Sequence, residues 1–96
     1  MDIIGIMSKL IERLNKWNFD CEVTEILSRP KENTHIIHFD YKDHKYMAAF
    51  VELQPFRLVI DITNLETQKT DRIYSSINCN EHDLYFLAQA LTKTAR

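Results

Sequence analysis

The sequence predicts an α+β fold, in which a five-stranded antiparallel meander is flanked by N- and C-terminal helices that lie on one face of the sheet. Three observations predict it. Apolar residues recur every three or four positions at both ends of the chain, they alternate with polar residues over the middle, and the alternating segments are joined by short connections. Short connections join antiparallel neighbours, because a parallel crossover needs a dozen or more residues.

The two helices are predicted over residues 2–17 and from Asn80 onward. The apolar stripe of the first helix consists of Ile3, Met7, Leu10, Leu14 and Trp17. Asn80 can accept hydrogen bonds from the backbone N–H groups ahead of it, and Asp83 three residues later makes a weaker form of the capping box. The stripe of the second helix consists of Leu84, Leu87, Ala88, Leu91 and Ala95.

Five strands are predicted between the helices, over residues 19–27, 35–41, 46–53, 56–63 and 69–77. The chain contains one glycine and two prolines among 96 residues. Corners and bulges of tightly curved sheets favour glycine, so an open sheet is expected rather than a barrel. The length and the scarcity of loop residues predict that residues 1–96 form a single domain.

Two-residue alternation sorts the strand residues into two faces. The hairpin is predicted to turn about Asp43 and His44, which places Tyr41 opposite Tyr46, and the next turn is predicted about Gln54 and Pro55. The face predicted to lie against the helices carries Ile36, Met47, Ala49, Val51, Leu53, Phe56, Leu58, Ile60, Ile62 and Ile73. The face predicted to be open carries Ile37, Phe39, Tyr41, Tyr46, Phe50, Val59 and Tyr74, with Glu52, Arg57, Asp61 and Arg72.

An open face this rich in aromatic rings indicates a binding surface, since exposed apolar patches usually contact another molecule. The predicted binding residues are Phe39, Tyr41, Tyr46, Phe50, Arg57, Arg72 and Tyr74. We expect a non-enzymatic protein-binding module that contacts a protein partner or forms a homodimer, through this aromatic sheet face or through an edge strand. A small chain without motifs is typical of inhibitor, adaptor and immunity-type proteins, including those of phages and other mobile elements.

Single-stranded nucleic acid is the alternative ligand for the same face. Bases could stack on its rings beside Arg57 and Arg72, as they do on RNA-binding sheets. The net charge of −2 supplies no attractive field for phosphates, and Glu52 and Asp61 lie among the rings. Nucleic acid is therefore not the expected partner.

Candidate chemistry is concentrated in residues 35–53, which hold three of the four histidines. His35 and His38 are an odd number of residues apart on one strand, so they face opposite ways and cannot share a metal ion. No metal site and no cofactor is predicted. His38 and Asp40 do share a face, and Cys79 precedes a helix that could lower the pKa of its thiol; these would serve a small enzyme, a further alternative. Their simpler interpretation is a structural polar pair and a packing or capping residue.

The composition also bears on location. No apolar run reaches the length of a membrane span, and the basic residues near the N-terminus follow the apolar ones rather than precede them, unlike a secretory signal. Two cysteines are too few for a disulfide framework. We therefore expect a cytoplasmic protein without a membrane partner.

Overall fold

The architecture is that of a computed structural model, which describes residues 3–54, 57–76 and 80–94. Its elements are helix α1 (Ile3–Lys16), strands β1 (Cys21–Arg29), β2 (Thr34–Tyr41), β3 (His44–Gln54), β4 (Arg57–Asn64) and β5 (Thr70–Ser76), and helix α2 (Glu81–Thr94). The strands pair antiparallel in the order β1-β2-β3-β4-β5. The predicted α+β fold, with its meander between two helices, is confirmed.

Helix α1 ends where Asn18 adopts a left-handed conformation, with φ of 54°. The N–H of Phe19 then donates to the carbonyl of Leu14 at 3.1 Å, a bond that closes the last turn and stops the helix. Asparagine tolerates this conformation better than most residues, which matters in a chain with so little glycine. The reversal directs Cys21 into the first strand.

Helix α2 begins with the predicted capping box. The Asn80 side-chain oxygen accepts a hydrogen bond from the N–H of Asp83 at 2.9 Å. The Asp83 carboxylate in turn accepts one from the N–H of Asn80 at 3.4 Å. Two N–H groups without helical partners are thereby satisfied, and the prediction for this helix start is confirmed.

The β2–β3 hairpin turns on two residues, Lys42 and Asp43, with φ of 49° and 65°. Positive φ at both positions is typical of a type I′ turn, whose twist matches that of the flanking strands. Phe39 therefore lies opposite Tyr46. The prediction that Tyr41 lies opposite Tyr46 is wrong by two residues, although a shift of two leaves the faces unchanged.

A β-bulge determines which side chains of β3 lie on the same face of the sheet as which side chains of β4. Val51 lies opposite Val59 and Gln54 opposite Arg57, with an irregularity between Glu52 and Gln54 that leaves Leu53 as an extra residue. One extra residue reverses the parity of the pairing. Phe50 consequently lies opposite Ile60 on the same face.

The predicted sorting of β2 and β3 is therefore wrong. We call the face covered by the helices the inner face and the opposite one the outer face. The hydrophobic core combines apolar residues of both helices with the inner-face residues Ile37, Phe39, Tyr41, Tyr46, Ala48, Phe50, Leu58, Ile60 and Ile62. Ala95, predicted for the stripe of the second helix, lies outside the described residues. Four residues predicted for the core lie on the outer face instead: Ile36, Met47, Ala49 and Val51. Leu53 is half exposed, and Phe56 lies outside the described residues.

An ion pair joins the two helices above the core. The guanidinium of Arg13 contacts both carboxylate oxygens of Glu81, with Nε at 2.7 Å from Oε2 and Nη2 on Oε1. A second carboxylate, that of Glu12, contacts Nη1 at 2.9 Å. The hydrogen bonds from Arg13 lower the pKa of Glu81 below its usual value. Bidentate geometry of this kind fixes orientation, so the pair sets how α2 begins relative to α1.

Removing this carboxylate charge should make stability less dependent on acidity. The pKa of Glu81 is lower in the folded chain than its ordinary value of 4.5. The ion pair therefore stabilises the protein at pH values above 4.5, and this stabilisation is lost as the pH falls further. We expect Glu81→Gln to melt at a lower temperature than the unsubstituted chain at pH 7, and the gap to close in acid. Glu22→Gln, at an exposed carboxylate, is the control; a gap that stays constant with pH would contradict the assignment.

Candidate functional site

The outer face of the sheet is the candidate site. In the described part of the chain, both helices pack on the inner face, so no helix covers this one. Its apolar residues form what we call the outer apolar strip: Leu27, Ile36, Met47, Ala49, Val51, Val59 and Tyr74. A sheet with apolar residues on both faces is typical of one that is covered twice.

The strip is assembled from neighbouring strands by the register. Leu27, Ile36 and Ala49 lie side by side on β1, β2 and β3. Val51, Val59 and Tyr74 form the next row, on β3, β4 and β5. Most of these side chains are half-buried by their neighbours, Val59 is fully buried, and Tyr74 is 58% exposed. The strip therefore runs diagonally across all five strands and ends on an exposed ring.

A neutralised ion pair borders the strip on the β4–β5 side. Arg72 donates from Nε to one oxygen of Asp61 at 2.8 Å and from Nη2 to the other at 3.0 Å. These bonds, with a further one involving Tyr74, raise the pKa of the guanidinium above its ordinary value. Arg72 is thus paired within the chain, with Asp61 on the neighbouring strand, although its side chain is 52% exposed.

The opposite corner of the outer face is acidic. Glu22 and Glu25 project from β1, and Asp40 from β2 lies opposite Lys45. A shallow cleft of about 740 Å³ opens beside them and is lined by Phe19, Asp20, Cys21, Glu22, Asp40, Lys42, Asp43 and Lys45. Within the described ranges, no group of three acidic, histidine or cysteine side chains is arranged to hold a metal ion. The side chains lining this corner carry charges of both signs, with acidic groups in excess of the two lysines.

The predicted binding residues are divided between the two faces. Phe39, Tyr41, Tyr46 and Phe50 are buried in the core, where Phe39 and Tyr46 stack with ring centroids 5.4 Å apart. Burial raises the pKa of the Tyr46 hydroxyl. The prediction that these four rings form an open surface is wrong. Arg57, Arg72 and Tyr74 do lie exposed on the outer face, as predicted.

The same burial removes the predicted base-stacking platform. Phe39, Tyr41 and Tyr46 cannot reach a base while they pack beneath the helices. Of the rings assigned to nucleic acid, Tyr74 alone is exposed, and the neighbouring Arg72 is already paired with Asp61. Sequence-tolerant binding of single strands needs several stacking rings along a basic groove, which these residues do not make.

The candidate catalytic residues do not form a hydrogen-bonded catalytic group among the described residues. His38 and Asp40 share the outer face, but the hydrogen bonds of the described residues include none between their side chains; they lie opposite Met47 and Lys45. Cys79 lies outside the described residues. Burial, with a smaller effect from Asp40, raises the pKa of the Cys21 thiol to about 12, which makes it a poor nucleophile.

Sequence reasoning missed one polar pair, between Ser28 and His35. The Ser28 hydroxyl and His35 Nδ1 are 2.8 Å apart across β1 and β2, and His35 is buried at the edge of the core. The two residues are seven apart in sequence, so only the strand register brings them together. A hydrolytic dyad would require a third group that orients the imidazole, and no acidic side chain is hydrogen-bonded to His35 among the described residues. The pair satisfies a buried histidine.

No helix among the described residues is both long and apolar enough to cross a bilayer. Comparison of the chain with protein-family models, with curated proteins and with solved structures yields no match. The outer face therefore has to be interpreted from its own chemistry.

Proposed function

We propose that this protein is a non-enzymatic protein-binding module that docks a partner protein on the outer apolar strip. The observation that carries the proposal is the distribution of apolar residues. The core lies on the inner face, yet the outer face has seven more apolar residues in neighbouring rows, and six of them, all but Val59, are at least partly accessible. When one face of an antiparallel sheet is solvated, the residues along each strand normally alternate, and those on the solvated face are polar. Contiguous apolar surface of this kind marks interaction sites in monomeric proteins.

The surroundings of the strip define the chemistry of the partner. One corner carries Glu22 and Glu25, while the opposite side presents Tyr74 and the exposed cation Arg57. A fitting partner has an apolar centre, a basic group toward β1 and an acidic group toward β5. Aromatic and arginine residues dominate binding energy in such interfaces, which gives Tyr74 the role of anchor. An inhibitor, an adaptor or an immunity-type protein would use a surface of this design.

A charge placed in the strip should abolish partner binding. Val51 sits in the middle of β3 beside Val59, and Val51→Lys introduces an ammonium group into the apolar row without emptying the core. Ser8→Lys adds the same charge at an exposed position on α1 and serves as the matched control. We expect a partner captured from the native host by the unsubstituted chain and by Ser8→Lys to bind Val51→Lys about tenfold or more weakly.

The measurement is the dissociation constant of the purified partner for the three proteins, with circular dichroism as the check that each is folded. Equal affinity for Val51→Lys and Ser8→Lys would show that the partner docks elsewhere. Tyr74→Ala provides a second position in the strip, since this ring is exposed and contributes little to the core.

A further inference from the structure

Strand β1 forms an open edge of the sheet. In the described part of the chain it pairs with β2 on one side only, so its other side presents unpaired backbone groups. Natural edge strands are protected by bulges, charges and prolines. In β1 a bulge lies between Val23 and Glu25, and Pro30 follows the last residue of the strand. Between these two interruptions, residues 25–29 pair with β2 in an unbroken register and form an uninterrupted edge.

This edge also exposes apolar surface on the side of the helices. Ile26 lies opposite the buried Ile37, yet it is itself 55% exposed. At the other edge of the sheet, the inner-face isoleucine of β5, Ile73, is packed against the core. The β1 edge is therefore the one whose inner side is left open.

Helix α1 extends the exposed surface. Arg13 and Trp17 face α2, through the ion pair with Glu81 and the ring contact with Tyr85. Ile4 projects from the opposite flank of the helix, as follows from the helical repeat, and is 46% exposed. Because α1 packs over β1 and β2 while α2 packs on β5, that flank lies toward the free edge of β1.

The regular segment is complementary to a second copy of itself. In a two-fold antiparallel pairing that uses all of residues 25–29, Leu27 lies opposite Leu27 of the second copy. The same register places Glu25 opposite Arg29 of the second copy, and the reverse pair forms by symmetry. These residues share the outer face, so their side chains meet as cross-strand partners. In the single chain, Arg29 forms an ion pair with the exposed carboxylate of Glu32 at 3.6 Å, and the solvent-exposed side chains of this pair can exchange it for another partner.

We propose that two copies of this chain associate through residues 25–29 of β1, antiparallel about Leu27, so that their sheets become one continuous sheet. The backbone of the two edges supplies the hydrogen bonds, the Glu25–Arg29 pairs set the register, and Ile26 with Ile4 excludes water on the side of the helices. This association uses the sheet edge and takes only Leu27 from the outer apolar strip; it does not depend on the proposed function. Five residues and two isoleucines make a small interface, for which a reversible, concentration-dependent dimer is expected.

A charge exchange tests the register. Glu25→Arg alone places two positive charges opposite each other at both ends of the pairing, and Arg29→Glu alone places two negative ones there. We expect each to raise the dimer dissociation constant by about tenfold or more, and the double variant Glu25→Arg with Arg29→Glu to restore it. Asp71→Arg makes the same charge reversal at an exposed position on β5 and should leave the constant unchanged. Sedimentation velocity over a concentration series measures all four against the unsubstituted chain.

Ile26→Lys should also prevent association while the chain stays folded, because this side chain is half exposed and its loss leaves no cavity. A monomer mass for the unsubstituted chain up to about 1 mM would overturn the proposal. The proposal would also be overturned if both single charge variants dimerised with the dissociation constant of the unsubstituted chain. A double variant that stays as weak as the single ones would overturn the Glu25–Arg29 register. Partner binding by the outer apolar strip is measured separately with Val51→Lys, so a failure of either idea can be told from a failure of the other.

Discussion

Phe50→Ala is expected to lower the free energy of unfolding by about 3–5 kcal/mol, the usual cost of deleting a fully buried aromatic ring. Phe50 is completely buried on the inner face, opposite Ile60 and beneath the helices. Domains of this size are stable by only about 5–15 kcal/mol, so this one change removes a large share of the total. Denaturant unfolding followed by the fluorescence of Trp17, the single tryptophan, measures the loss.

Tyr74→Ala is the matched control for that experiment. Its ring is also aromatic, but it lies on the outer face and is 58% exposed. Surface substitutions away from special features change stability by about 0.5 kcal/mol or less. The comparison decides which face of the sheet holds the core: a small effect for Phe50→Ala together with a large one for Tyr74→Ala would reverse the assignment of faces.

The order of elements and several of their ends could be predicted because each depends on local chemistry. The first helix follows from the spacing of residues such as Met7, Leu10 and Leu14, all of which are buried. The start of the second follows from the side chains of Asn80 and Asp83, which form the expected reciprocal bonds. Antiparallel pairing follows from the length of the connections. None of these inferences requires knowledge of which face of the sheet is covered.

The choice of face could not be predicted because it depends on a single extra residue. Strand β3 runs through five consecutive apolar residues, 47–51, so its alternation does not distinguish an inner from an outer side. The decision then rests on the register with β4, which the bulge at Leu53 shifts by one. Bulges carry little sequence signal when they are not marked by glycine. The sequence pattern consequently predicts the wrong face of the sheet for the aromatic residues of β2 and β3.

The wrong choice of face for β2 and β3 also changes which residues make up the candidate site. Tyr74, Arg57 and Arg72 lie on strands that were sorted correctly, and they remain on the outer face. The other residues of the strip, such as Ile36 and Val51, are ones that the sequence pattern predicts for the core. The sequence predicts an uncovered face rich in aromatic rings, whereas the uncovered face is mostly aliphatic. A protein partner remains a proposal, and it now depends on this different set of side chains.

Cys21 should react with alkylating reagents about a thousandfold more slowly in the folded chain than in the unfolded one. The thiolate is the reactive form, and burial raises the pKa of this thiol from 9.0 to about 12. Each pKa unit lowers the thiolate fraction about tenfold at neutral pH, so three units give about a thousandfold before any steric exclusion is counted. The Cys79→Ser variant leaves Cys21 as the sole thiol of the chain, and mass spectrometry at intervals measures its modification.

The same shift makes stability fall in alkali. Below pH 9 the thiol carries its proton in both the folded and the unfolded chain, and its contribution is fully present. As the pH rises from about 9 toward 12, the unfolded chain loses the proton while the folded chain retains it, and unfolding becomes easier. Tyrosines and lysines titrate in this range too, so a control variant is needed. The informative quantity is the difference in melting temperature between the Cys79→Ser chain and the Cys21→Ala, Cys79→Ser double variant. This difference should shrink as the pH rises from about 9 toward 12. Rapid labelling of Cys21 at neutral pH, or a difference that does not change above pH 9, would place this thiol in solvent and detach the first strand from the core.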